Sequence, residues 1–584
     1  MSDSPRVDDA AALAAITSPV SPSPLARPTP PHLPPDTVST TASAYVALDL
    51  SLPGALREIE RLAAAQLPPH TLMARAGAAV AHWLYGHLPA LASAGRQPVL
   101  LLAGPGNNGG DAYVAARELH RLGVRVDVWQ LAPPVADDAR WAHGEALAAG
   151  VPVRPAPATW SQPTAYAWIV DGLFGIGLSR PLDGAAAALV ENVTHAHAQG
   201  TPVLAIDIPS GLAAATGVVD GPVIHADVTI AMLGACPGLL TGSGRDIAGD
   251  VLVASLGTED VLTAMRAAGS TDAAGVSGNV LATSAPSAFL AHLPQRRQAS
   301  HKGSYGSLAV LGGNEGMVGA PMLSGRTGLM TGAGRVYVGF VAHDAPAWDP
   351  VHPELMLRHA ENLDLSAMQA VAIGPGLGTS AASAACLSRA LALEHTPLVI
   401  DADALNLLAA EPSLAERVRR RSGPTVLTPH PLEAARLAGC DVAKIQSDRL
   451  ASARALAQHF GVTIVLKGSG SVIDDGTRAW INTTGNAGLA TAGTGDVLTG
   501  VIGALLAQGM PATQAALAAV WMHGRAADRC VSAGTGPAGL TASELLPAIR
   551  AELGEWLSEG MRATRSARSM RSAPTGRPNV ASAP

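Results

Sequence analysis

Short runs of apolar residues recur along two long segments of the chain, and each run stops at Gly, Asp or Pro before an Ala/Leu-rich stretch. Runs that are apolar throughout predict strands buried on both faces, and the stretches between them predict helices. In the first segment the predicted strands are Val99–Ala103, Val124–Trp129, Trp168–Val170, Val203–Ile206, Val228–Ala231 and Val251–Ala254. In the second segment they are Leu308–Leu311, Val336–Val338, Ala370–Ile373, Leu398–Ile400, Thr425–Leu427 and Thr463–Leu466.

This alternation predicts two α/β domains, each with a largely parallel sheet covered by helices on both faces. We place them at residues 45–264 and 298–556, joined by an Ala/Ser/Gly-rich linker over residues 265–297. Residues 1–44 contain a Pro/Ser/Thr-rich stretch that cannot pack a core, so we expect a disordered arm there. Residues 557–584 are expected to form a disordered basic tail.

Two interpretations of the C-terminal tail remain open. Its arginines recur every three residues, and no acidic residue follows Met561. Such a tail can dock on RNA or on an acidic surface. The alternative, which we favour, is an unstructured and solvated chain end.

The composition excludes several classes of protein. The formal charge of −7 argues against a general nucleic-acid binder, which usually presents a basic face. The 4 cysteines are too few and too scattered for a disulfide framework or a zinc site. No apolar run reaches the ~18 residues of a membrane span, and the acidic N-terminus lacks the order of a signal peptide. We therefore expect a cytoplasmic protein with no nucleic-acid or membrane partner.

The first predicted strand leads into a glycine-rich turn, G-P-G-N-N-G-G-D over residues 104–111, and then into the helical run Ala112–Leu122. A strand, a glycine turn and a helix in succession leave backbone N–H groups free to bind phosphate. The motif is neither the dinucleotide-binding fingerprint nor the P-loop. On spacing alone, a tight turn with a purely structural role explains it equally well.

Two later strands end in a carboxylate, Asp171 before G-L-F-G-I-G-L-S-R-P and Asp207 before I-P-S-G. A single aspartate in this position usually caps or turns the chain. Because the carboxyl ends of parallel strands meet at one edge of a sheet, we expect Asn108, Asp171 and Ser210 to lie together as oxygen ligands of a cation. Asp207 then remains free for acid–base chemistry, and the combination favours a functional site.

In this order the three motifs resemble those of the YjeF N-terminal family, the NAD(P)H-hydrate epimerases, over roughly residues 48–260. The resemblance implies a Rossmann-like three-layer fold that interconverts the C6 epimers of hydrated NADH and NADPH. It also implies K⁺ at Asn108, Asp171 and Ser210, with Asp207 at the reacting end of the dinucleotide. The residues implied in dinucleotide binding are Asn107, Asn108, Gly109, Gly110, Asp111, Gly175, Ile176, Gly177, Leu178, Ser179, Arg180 and Pro181.

One segment departs from the family pattern, because many members carry a lysine in the stretch that here reads Leu233–Leu239 with Cys236 at its centre. The first 301 residues contain no lysine at all. If that lysine transfers protons, the first domain is slow or inactive; if it only neutralises phosphate, Arg180 or Arg245 can replace it. Cys236 itself is better explained as a packing residue than as a nucleophile, since no histidine is near it in sequence.

In the second segment, the sequence G-T-G-D over residues 493–496 precedes an apolar helix predicted at Val497–Leu506. Free N–H groups at the start of a helix bind anions. Asp496 at that point is explained as a base that takes a proton from a hydroxyl attacking phosphorus. A helix cap is the simpler alternative.

Other strand ends of the second segment carry groups suited to phosphate or Mg²⁺. Lys467 ends a strand before Gly-Ser-Gly-Ser and is one of only three lysines in a chain whose other cations are arginine. A lysine kept in such a chain favours phosphate contact over a solvated surface position. His430 and Glu433 follow another strand, while Asp401 and Asp403 offer carboxylates for Mg²⁺ or for orienting substrate.

These motifs resemble the YjeF C-terminal family, the ADP-dependent NAD(P)H-hydrate dehydratases, over about residues 295–555. The resemblance implies a ribokinase-like fold with ADP as phosphoryl donor and Mg²⁺. The residues implied to hold the hydrated dinucleotide are Ala320, Gly376, His430 and Asp496. Those implied to hold the adenine nucleotide are Lys467, Gly468, Ser469, Gly470, Ser471 and Gly495.

Together the resemblances predict a bifunctional repair enzyme, an isomerase fused to a lyase, acting on small molecules and assembled as a homo-oligomer. The first domain would interconvert the R and S forms of hydrated NADH and NADPH through Asp207. The second would dehydrate the S form through Asp496 while ADP is converted to AMP and phosphate. A vitamin or sugar-alcohol kinase beside a non-catalytic first module is the alternative, since ribokinase-like folds host both chemistries.

Overall fold

A computed structural model of the chain describes residues 50–88, 97–157, 160, 166–178, 180–261 and 281–571. The arm predicted over residues 1–44 and the part of the predicted linker at residues 265–280 lie outside these residues. Within them, no helix is both long and apolar enough to cross a membrane.

Seven short strands form the first sheet, and every neighbouring pair is parallel. The strands are β1 (Val99–Ala103), β2 (Val126–Gln130), β3 (Val153–Pro155), β4 (Trp168–Gly172), β5 (Val203–Ile206), β6 (Val228–Met232) and β7 (Asp250–Ala254). Their order across the sheet is β3-β2-β1-β4-β5-β6-β7. The helices are α1 (Pro53–Ala64), α2 (Thr71–His87), α3 (Asn107–Arg121), α4 (Asp137–Ala148), α5 (Gly184–Ala198) and α6 (Gly244–Ile247).

Ten strands form the second sheet, in the order β11-β10-β9-β12-β13-β14-β15-β16-β17-β8. They are β8 (Leu281–Ser284), β9 (Ser307–Gly312), β10 (Arg335–Phe340), β11 (Met356–His359), β12 (Ala370–Ile373), β13 (Leu398–Ile400), β14 (Thr425–Leu427), β15 (Thr463–Leu466), β16 (Val472–Asp474) and β17 (Ala479–Asn482). Strand β16 is antiparallel to both its neighbours, and the other pairs are parallel.

The helices of this second half begin and end as follows: α7 (Gly319–Met330), α8 (Ala381–Leu391), α9 (Ala402–Ala410), α10 (Pro412–Arg420), α11 (Pro431–Ala438), α12 (Val442–Ser447), α13 (Arg449–Phe460), α14 (Thr494–Ala507), α15 (Ala512–Ser532) and α16 (Leu545–Arg571). Short 3₁₀ turns occupy Pro237–Leu239, Pro286–Ala288, Leu290–His292, Lys302–Tyr305, Ala360–Asn362, Leu365–Ala367, Ala487–Leu489 and Ala542–Glu544. The α/β fold class predicted for both halves is confirmed.

All twelve predicted strands are present, and most of them are covered on both faces of the sheets, although the edge strand β7 is only partly buried. In β1 every residue is buried, as is every residue of β12. Helix α14 is mostly apolar and packs on the second sheet with α7 and α15 beside it. A helix buried in this way needs no polar face.

The strand order of each sheet reverses at one place, and this fixes where ligands can bind. Strand β1 lies between β2 and β4, and β9 lies between β10 and β12. At such a switch point the loops that follow neighbouring strands leave in opposite directions, which opens a crevice at their carboxyl ends. The motif over residues 104–111 and the loop from Gly374 therefore lie at the two crevices.

Part of the predicted linker belongs instead to the second sheet. Residues 281–284 form β8, which pairs with β17, and Phe289 is completely buried. The segment was expected to be a linker because its small residues give no strand period; the tertiary contacts decide its structure. The predicted tail also differs, since α16 continues to Arg571, and only residues 572–584 lie outside the description. Alanine, methionine and arginine are good helix formers, which explains the extension.

We predict that Phe289→Ala lowers the free energy of unfolding of the second half by about 3–5 kcal/mol, because a large cavity replaces a buried ring. The ring contacts Trp521 and Trp556, with centroids 6.3 and 5.2 Å away. Urea unfolding followed by tryptophan fluorescence measures the loss. Leu290→Ala is the control, since Leu290 is 36% exposed and its truncation should change stability little. Equal effects of the two substitutions would contradict the assignment of this segment to the core.

Candidate active sites

A cavity of about 690 Å³ opens at the carboxyl ends of β1, β4 and β5. Its wall combines the start of α3, the loop after β4 and the residue that follows β5. Nine residues predicted from the first set of motifs line it: Asn107, Asn108, Asp111, Gly175, Ile176, Gly177, Leu178, Arg180 and Asp207. The convergence of strand ends expected from the sequence thus produces a real cavity.

The three predicted cation ligands are all buried at this edge of the sheet. Asn108 is 8% exposed, and neither atom of its side-chain amide has a hydrogen-bond partner among the described residues. Asp171 accepts hydrogen bonds from the Ser210 backbone N–H and hydroxyl, both at 2.7 Å. Burial raises the pKa of Asp171 to about 6, although the bonds from Ser210 lower it. A buried amide without a partner beside a carboxylate and a hydroxyl is a donor set that suits a hard monovalent cation.

Asp207 is held in a strained conformation at the cavity wall. Its φ is 66°, in the left-handed region that a non-glycine residue seldom adopts, and its carboxylate accepts the Ile176 N–H at 3.0 Å. A β-carbon on Gly175 would lie 2.6 Å from the Asp207 Oδ2 atom, so a side chain at this position would displace the carboxylate. Burial raises the pKa of Asp207. Burial, and then the charge of Asp207, raises the pKa of Asp111 well above its ordinary value.

Other predicted residues of this site lie behind or beside the cavity. A β-carbon on Gly109 would lie 2.0 Å from the Gly104 carbonyl oxygen, and one on Gly110 would lie 2.5 Å from the Met73 side chain. These two glycines permit close packing of α3, while Pro181 is exposed and outside the cavity wall. Ser179 lies outside the described residues. Dinucleotide binding by all four stays a prediction.

The sequence motifs missed the polar residues that α1, α2 and α4 bring to the cavity: Arg57, Glu60, His70 and Asp138. The His70 Nδ1 atom lies 2.5 Å from an Asp138 oxygen, and the His70 ring stacks on Trp141. Burial, and then Asp207, raises the pKa of Glu60. No strand end carries these residues, so the only available signal was the amphipathic pattern of α1.

The structure limits what can replace the missing lysine. Cys236 is 2% exposed and packs in the core of the first half, and burial raises the pKa of its thiol. Arg245 donates hydrogen bonds to carbonyls of residues 483–485 in the second half and is not among the residues that line the cavity. Arg180 and Arg57 are the arginines in the cavity wall, and Arg57 Nη2 lies 3.5 Å from the Ile176 carbonyl oxygen.

The second site forms where α14 begins, beside the ends of β13, β14 and β15. Gly493 caps the helix with a φ of 89°, and Asp496 lies in the first turn. Burial raises the pKa of the Asp496 carboxyl to about 7, and the charge of Asp401 adds to this while Lys467 opposes it. A carboxyl with this pKa can accept a proton near neutral pH.

A buried ion pair joins two strand ends across β14. The Lys467 Nζ atom lies 2.6 Å from Asp401 Oδ1 and 3.7 Å from Glu433 Oε2. The other oxygen of Asp401 accepts the Thr499 hydroxyl at 2.7 Å. Burial pushes the pKa of Asp401 up, but Lys467 holds it below its ordinary value. Burial raises the pKa of Glu433 to about 7. The pair therefore keeps Lys467 charged at the floor of the site.

The remaining predicted dinucleotide residues surround this floor. His430 caps α11, where its Nδ1 accepts the N–H groups of Leu432 and Glu433 at 3.1 and 3.3 Å. Burial lowers the pKa of His430. A β-carbon on Gly376 would lie 3.3 Å from the β-carbon of Ala320. Ala320 connects to the Asp496 backbone through Ser324, whose hydroxyl lies 3.4 Å from the Ala320 carbonyl oxygen and 2.7 Å from that of Asp496.

The predicted nucleotide residues continue from Lys467 into an exposed loop. Gly468 and Ser469 are exposed, and the Ser471 hydroxyl bonds within the loop to Gly468. A β-carbon on Gly495 would lie 3.6 Å from the Lys467 Nζ atom, so that this loop and the start of α14 face each other. The structure thus brings Lys467, Asp401 and Asp496 together, while nucleotide binding by residues 468–471 stays a prediction.

Sequence reasoning did not identify His523, which is buried beneath the start of α14. Burial lowers the pKa of His523 to about 4, although a hydrogen bond with the Thr494 backbone raises it. Its Nε2 atom has no partner among the described residues. The residue lies inside an apolar helical run, where the pattern predicts core and gives no functional signal.

Comparison with known proteins supports a single interpretation of both sites. Residues 69–238 match the YjeF-related protein N-terminus family, and residues 308–550 match the NAD(P)H-hydrate dehydratase family. The bifunctional NAD(P)H-hydrate repair enzyme of Escherichia coli is 39% identical over 460 residues, which cover 77% of this chain and 84% of that protein. The ADP-dependent (S)-NAD(P)H-hydrate dehydratase of Neisseria meningitidis is 45% identical over 44% of this chain and 87% of that protein.

One solved structure is also similar to the second half. It is the ADP/ATP-dependent NAD(P)H-hydrate dehydratase from Bacillus subtilis, co-crystallized with ATP/Mg²⁺. The identity is 32% with a TM-score of 0.40, over 46% of this chain and 95% of that chain.

We predict that Asp496→Asn stabilises the ligand-free protein at pH 8 by an amount on the order of 2 kcal/mol and has little effect near pH 4. The native pKa of about 7 lies above the ordinary value of 3.8, so the folded state keeps a proton that the unfolded state loses. Stability is therefore lost as pH rises from about 4 to 7, and the asparagine removes this loss. Urea unfolding at pH 4, 6 and 8 measures it, with Asp344→Asn, at an exposed position, as the control. A pH-independent difference would contradict the raised pKa.

Proposed function

Because the chain belongs to the family of bifunctional NAD(P)H-hydrate repair enzymes, we propose that it returns hydrated NADH and NADPH to their active forms. The first half interconverts the R and S epimers at C6, and the second half dehydrates the S epimer while ADP becomes AMP and phosphate. Fusion of the halves supplies both activities in one chain, so that both epimers can be repaired.

The observation that carries the proposal is the arrangement of Asp496 at the start of α14. The carboxyl stands in the first turn beside Gly495, which faces the Lys467 ammonium group. Helix N–H groups and a buried lysine attract the phosphates of a nucleotide, while a carboxyl with a pKa near 7 can take a proton from an alcohol. A phosphate site and a base in one crevice suit phosphoryl transfer to a hydroxyl.

In the proposed reaction, Asp496 takes the proton of the C6 hydroxyl as its oxygen attacks the terminal phosphorus of ADP. The new O–P bond forms while the bond from that phosphorus to the bridging oxygen breaks, which releases AMP. The ring nitrogen lone pair then expels phosphate from C6, and loss of a proton from C5 restores the dihydronicotinamide. Lys467 and the N–H groups at the start of α14 offset the negative charge that develops on the transferring group.

Mg²⁺ would enter this site with the nucleotide. Among the described residues, no group of three or more His, Cys, Asp or Glu side chains is arranged to bind a metal. Mg²⁺ usually keeps several waters and binds through substrate phosphates and one or two carboxylates, so the absence of a complete protein site fits. Asp403, whose Oδ2 accepts the Gly378 N–H at 2.8 Å, is the carboxylate that would hold it. Bound there, it would neutralise phosphate charge.

In the first half, Asp207 is proposed to handle protons at C6. Epimerisation requires the hydroxyl to leave one face of the ring and water to add to the other. A carboxyl that gives a proton to the departing hydroxyl and takes one from the entering water serves both steps. Arg57 and Arg180 are the positive groups in the wall that can face the phosphates of the dinucleotide. If the lysine that many family members carry only neutralises phosphate, these two arginines can replace it and the domain can act without it.

K⁺ is proposed to bind at Asn108, Asp171 and Ser210, where the unpartnered Asn108 amide supports an oxygen-ligand site. When bound, it would fix the loop after β4 and stabilise negative charge near the reacting end. The Ser210 hydroxyl donates to Asp171 at 2.7 Å, and the loop N–H of Phe174 donates to the Ser210 hydroxyl at 3.0 Å.

The substrates in this proposal are small molecules. The formal charge of −7 argues against a nucleic-acid partner. A cytoplasmic location, the lack of a membrane partner and assembly as a homo-oligomer stay predictions. The kinase alternative predicted from the ribokinase-like fold is not supported, since relatives across both halves are named as hydrate repair enzymes.

We predict that Asp496→Asn lowers the rate of ADP-dependent recovery of dihydronicotinamide absorbance from S-hydrated NADH at least about 100-fold, because the base is lost. For the parent, the rate should rise with pH through about 7, since the ionised carboxyl is the active form. Asp344→Asn, at an exposed position, should behave like the parent. Recovery at the parent rate by Asp496→Asn, or recovery by the parent without ADP, would refute the proposed reaction.

We predict that Asp207→Asn removes the catalysed interconversion of R- and S-hydrated NADH, so that only the uncatalysed rate remains. Asparagine tolerates the left-handed backbone conformation of this position and has nearly the same shape as aspartate, but its amide cannot exchange a proton as a carboxyl does. Chromatographic separation of the two epimers over time measures the rate, and Asp220→Asn, at an exposed position, is the control. An interconversion rate equal to the parent's would exclude Asp207, and a parent without activity would show that the missing lysine is essential.

A further inference from the structure

The nucleotide loop of the second half is in direct contact with the first half. A β-carbon on Gly470 would lie 2.0 Å from the Leu240 carbonyl oxygen and 2.7 Å from the Thr241 α-carbon. The φ of Gly470 is 60°, so both the backbone conformation and the neighbouring chain require glycine. A sequence motif of the second half is therefore fixed in part by a segment of the first.

Two donors of the first half bind the two successive carbonyls of this loop. The Gly242 N–H donates to the Ser469 carbonyl at 3.1 Å. The Thr241 hydroxyl lies 3.0 Å from the Gly470 carbonyl oxygen and 3.2 Å from that of Ser469. Thr241 is 1% exposed, so that water cannot replace its bond.

Fixing a carbonyl also fixes the N–H of the next residue, since a trans peptide unit is planar and the two groups point in opposite directions. The peptide units from Ser469 to Ser471 are held in this way. Within the described part of the chain, the N–H groups of Gly470 and Ser471 have no intramolecular acceptor. They are thus oriented away from the first half and available to a ligand.

A buried arginine ties the same elements together. Arg449 is 2% exposed, and its Nε donates to the Thr241 hydroxyl at 3.1 Å. Its Nη2 donates to the carbonyls of Leu466 and Lys467 at 3.1 and 3.2 Å. Its Nη1 donates to the Gln446 side-chain oxygen at 2.8 Å, so its described partners are uncharged, and burial lowers its pKa to about 10. A positive charge with neutral partners beneath the loop raises the electrostatic potential where an anion would bind.

Arg245 holds the loop that leads to the start of α14. Its guanidinium donates to the carbonyls of Thr483, Thr484 and Gly485 at 3.0, 3.5 and 2.9 Å. On the opposite side, the Gly485 N–H donates to Asp528 of α15 at 3.0 Å. The peptide unit between Thr484 and Gly485 is therefore hydrogen-bonded on one side to the first half and on the other to the second half. The loop that contains it leads to the start of α14.

We propose that the first half of the chain completes the nucleotide site of the second half, with Thr241, Gly242 and Arg245 as positioning residues. They hold the loops at residues 469–471 and 483–485 in the conformation that binds the polyphosphate of ADP. This inference rests on the proposed function, because it takes residues 467–471 as the ADP site. It makes the dehydratase half dependent on the epimerase half for nucleotide affinity.

The test compares Thr241→Val with Thr241→Ser in the full chain. Valine keeps the shape of threonine without its hydroxyl, and serine keeps the hydroxyl. For Thr241→Val we expect the KM for ADP to rise about tenfold, the effect of one lost buried hydrogen bond. The kcat, the KM for hydrated NADH and the epimerase rate should stay within about twofold of the parent, and Thr241→Ser should resemble the parent.

Two other results would overturn the inference. Unchanged KM for ADP in Thr241→Val would show that the contact does not position the loop. A joint loss of epimerase and dehydratase rates would show a general folding role instead. Arg245→Gln is the second variant, and it should weaken ADP binding in the same direction.

Calorimetric titration of ADP into the parent and into Thr241→Val separates this inference from the proposed function. If the parent binds ADP but does not turn over hydrated NADH, the proposed reaction fails. The dissociation constants still test the loop contact, since a tenfold difference supports it and equal values refute it.

Discussion

The ion pair between Lys467 and Asp401 is the interaction on which the second site depends. It joins the ends of β15 and β13 across β14, with 2.6 Å between Nζ and Oδ1 and little exposure to solvent. Burying two charges is unfavourable unless each is well paired. Here the Thr499 hydroxyl donates to the second oxygen of Asp401, and Glu433 lies 3.7 Å from the Lys467 ammonium group. The pair keeps a compact positive charge beside the helix start, and this charge makes the crevice attractive to phosphate.

Both crevices place a carboxyl at the end of a buried strand or the start of a buried helix, next to glycine. Burial raises the pKa of Asp207 in one and of Asp496 in the other. Glycine at positions 175 and 495 lets backbone and ligand approach these carboxyls closely. The two crevices thus share one physical arrangement, a desolvated carboxyl beside glycine backbone.

The two halves share more than a connecting segment. Thr241 and Arg449 meet at the base of the nucleotide loop, and Arg245 reaches the loop that precedes α14. Ile481 of β17 packs with the core of the first half. Such contacts bury polar groups, which need hydrogen-bond partners from the other half. The loop conformations in the second half therefore depend on residues of the first half.

The sequence by itself determined the α/β class and twelve strands, because a short run of apolar residues indicates burial on both faces. It also indicated the residues at the strand ends of both sites, because the carboxyl ends of parallel strands lie at one edge of a sheet. It did not give the short strands β3, β11, β16 and β17, nor β8, whose run of small residues has no period of its own, nor the buried role of Phe289. The tertiary structure alone decided which residues from distant helices complete each site. Arg57 lines the first cavity, and Thr241 contacts the loop at residues 469–471 of the second half. Both contacts join segments that are far apart in sequence, so no local sequence pattern predicts them.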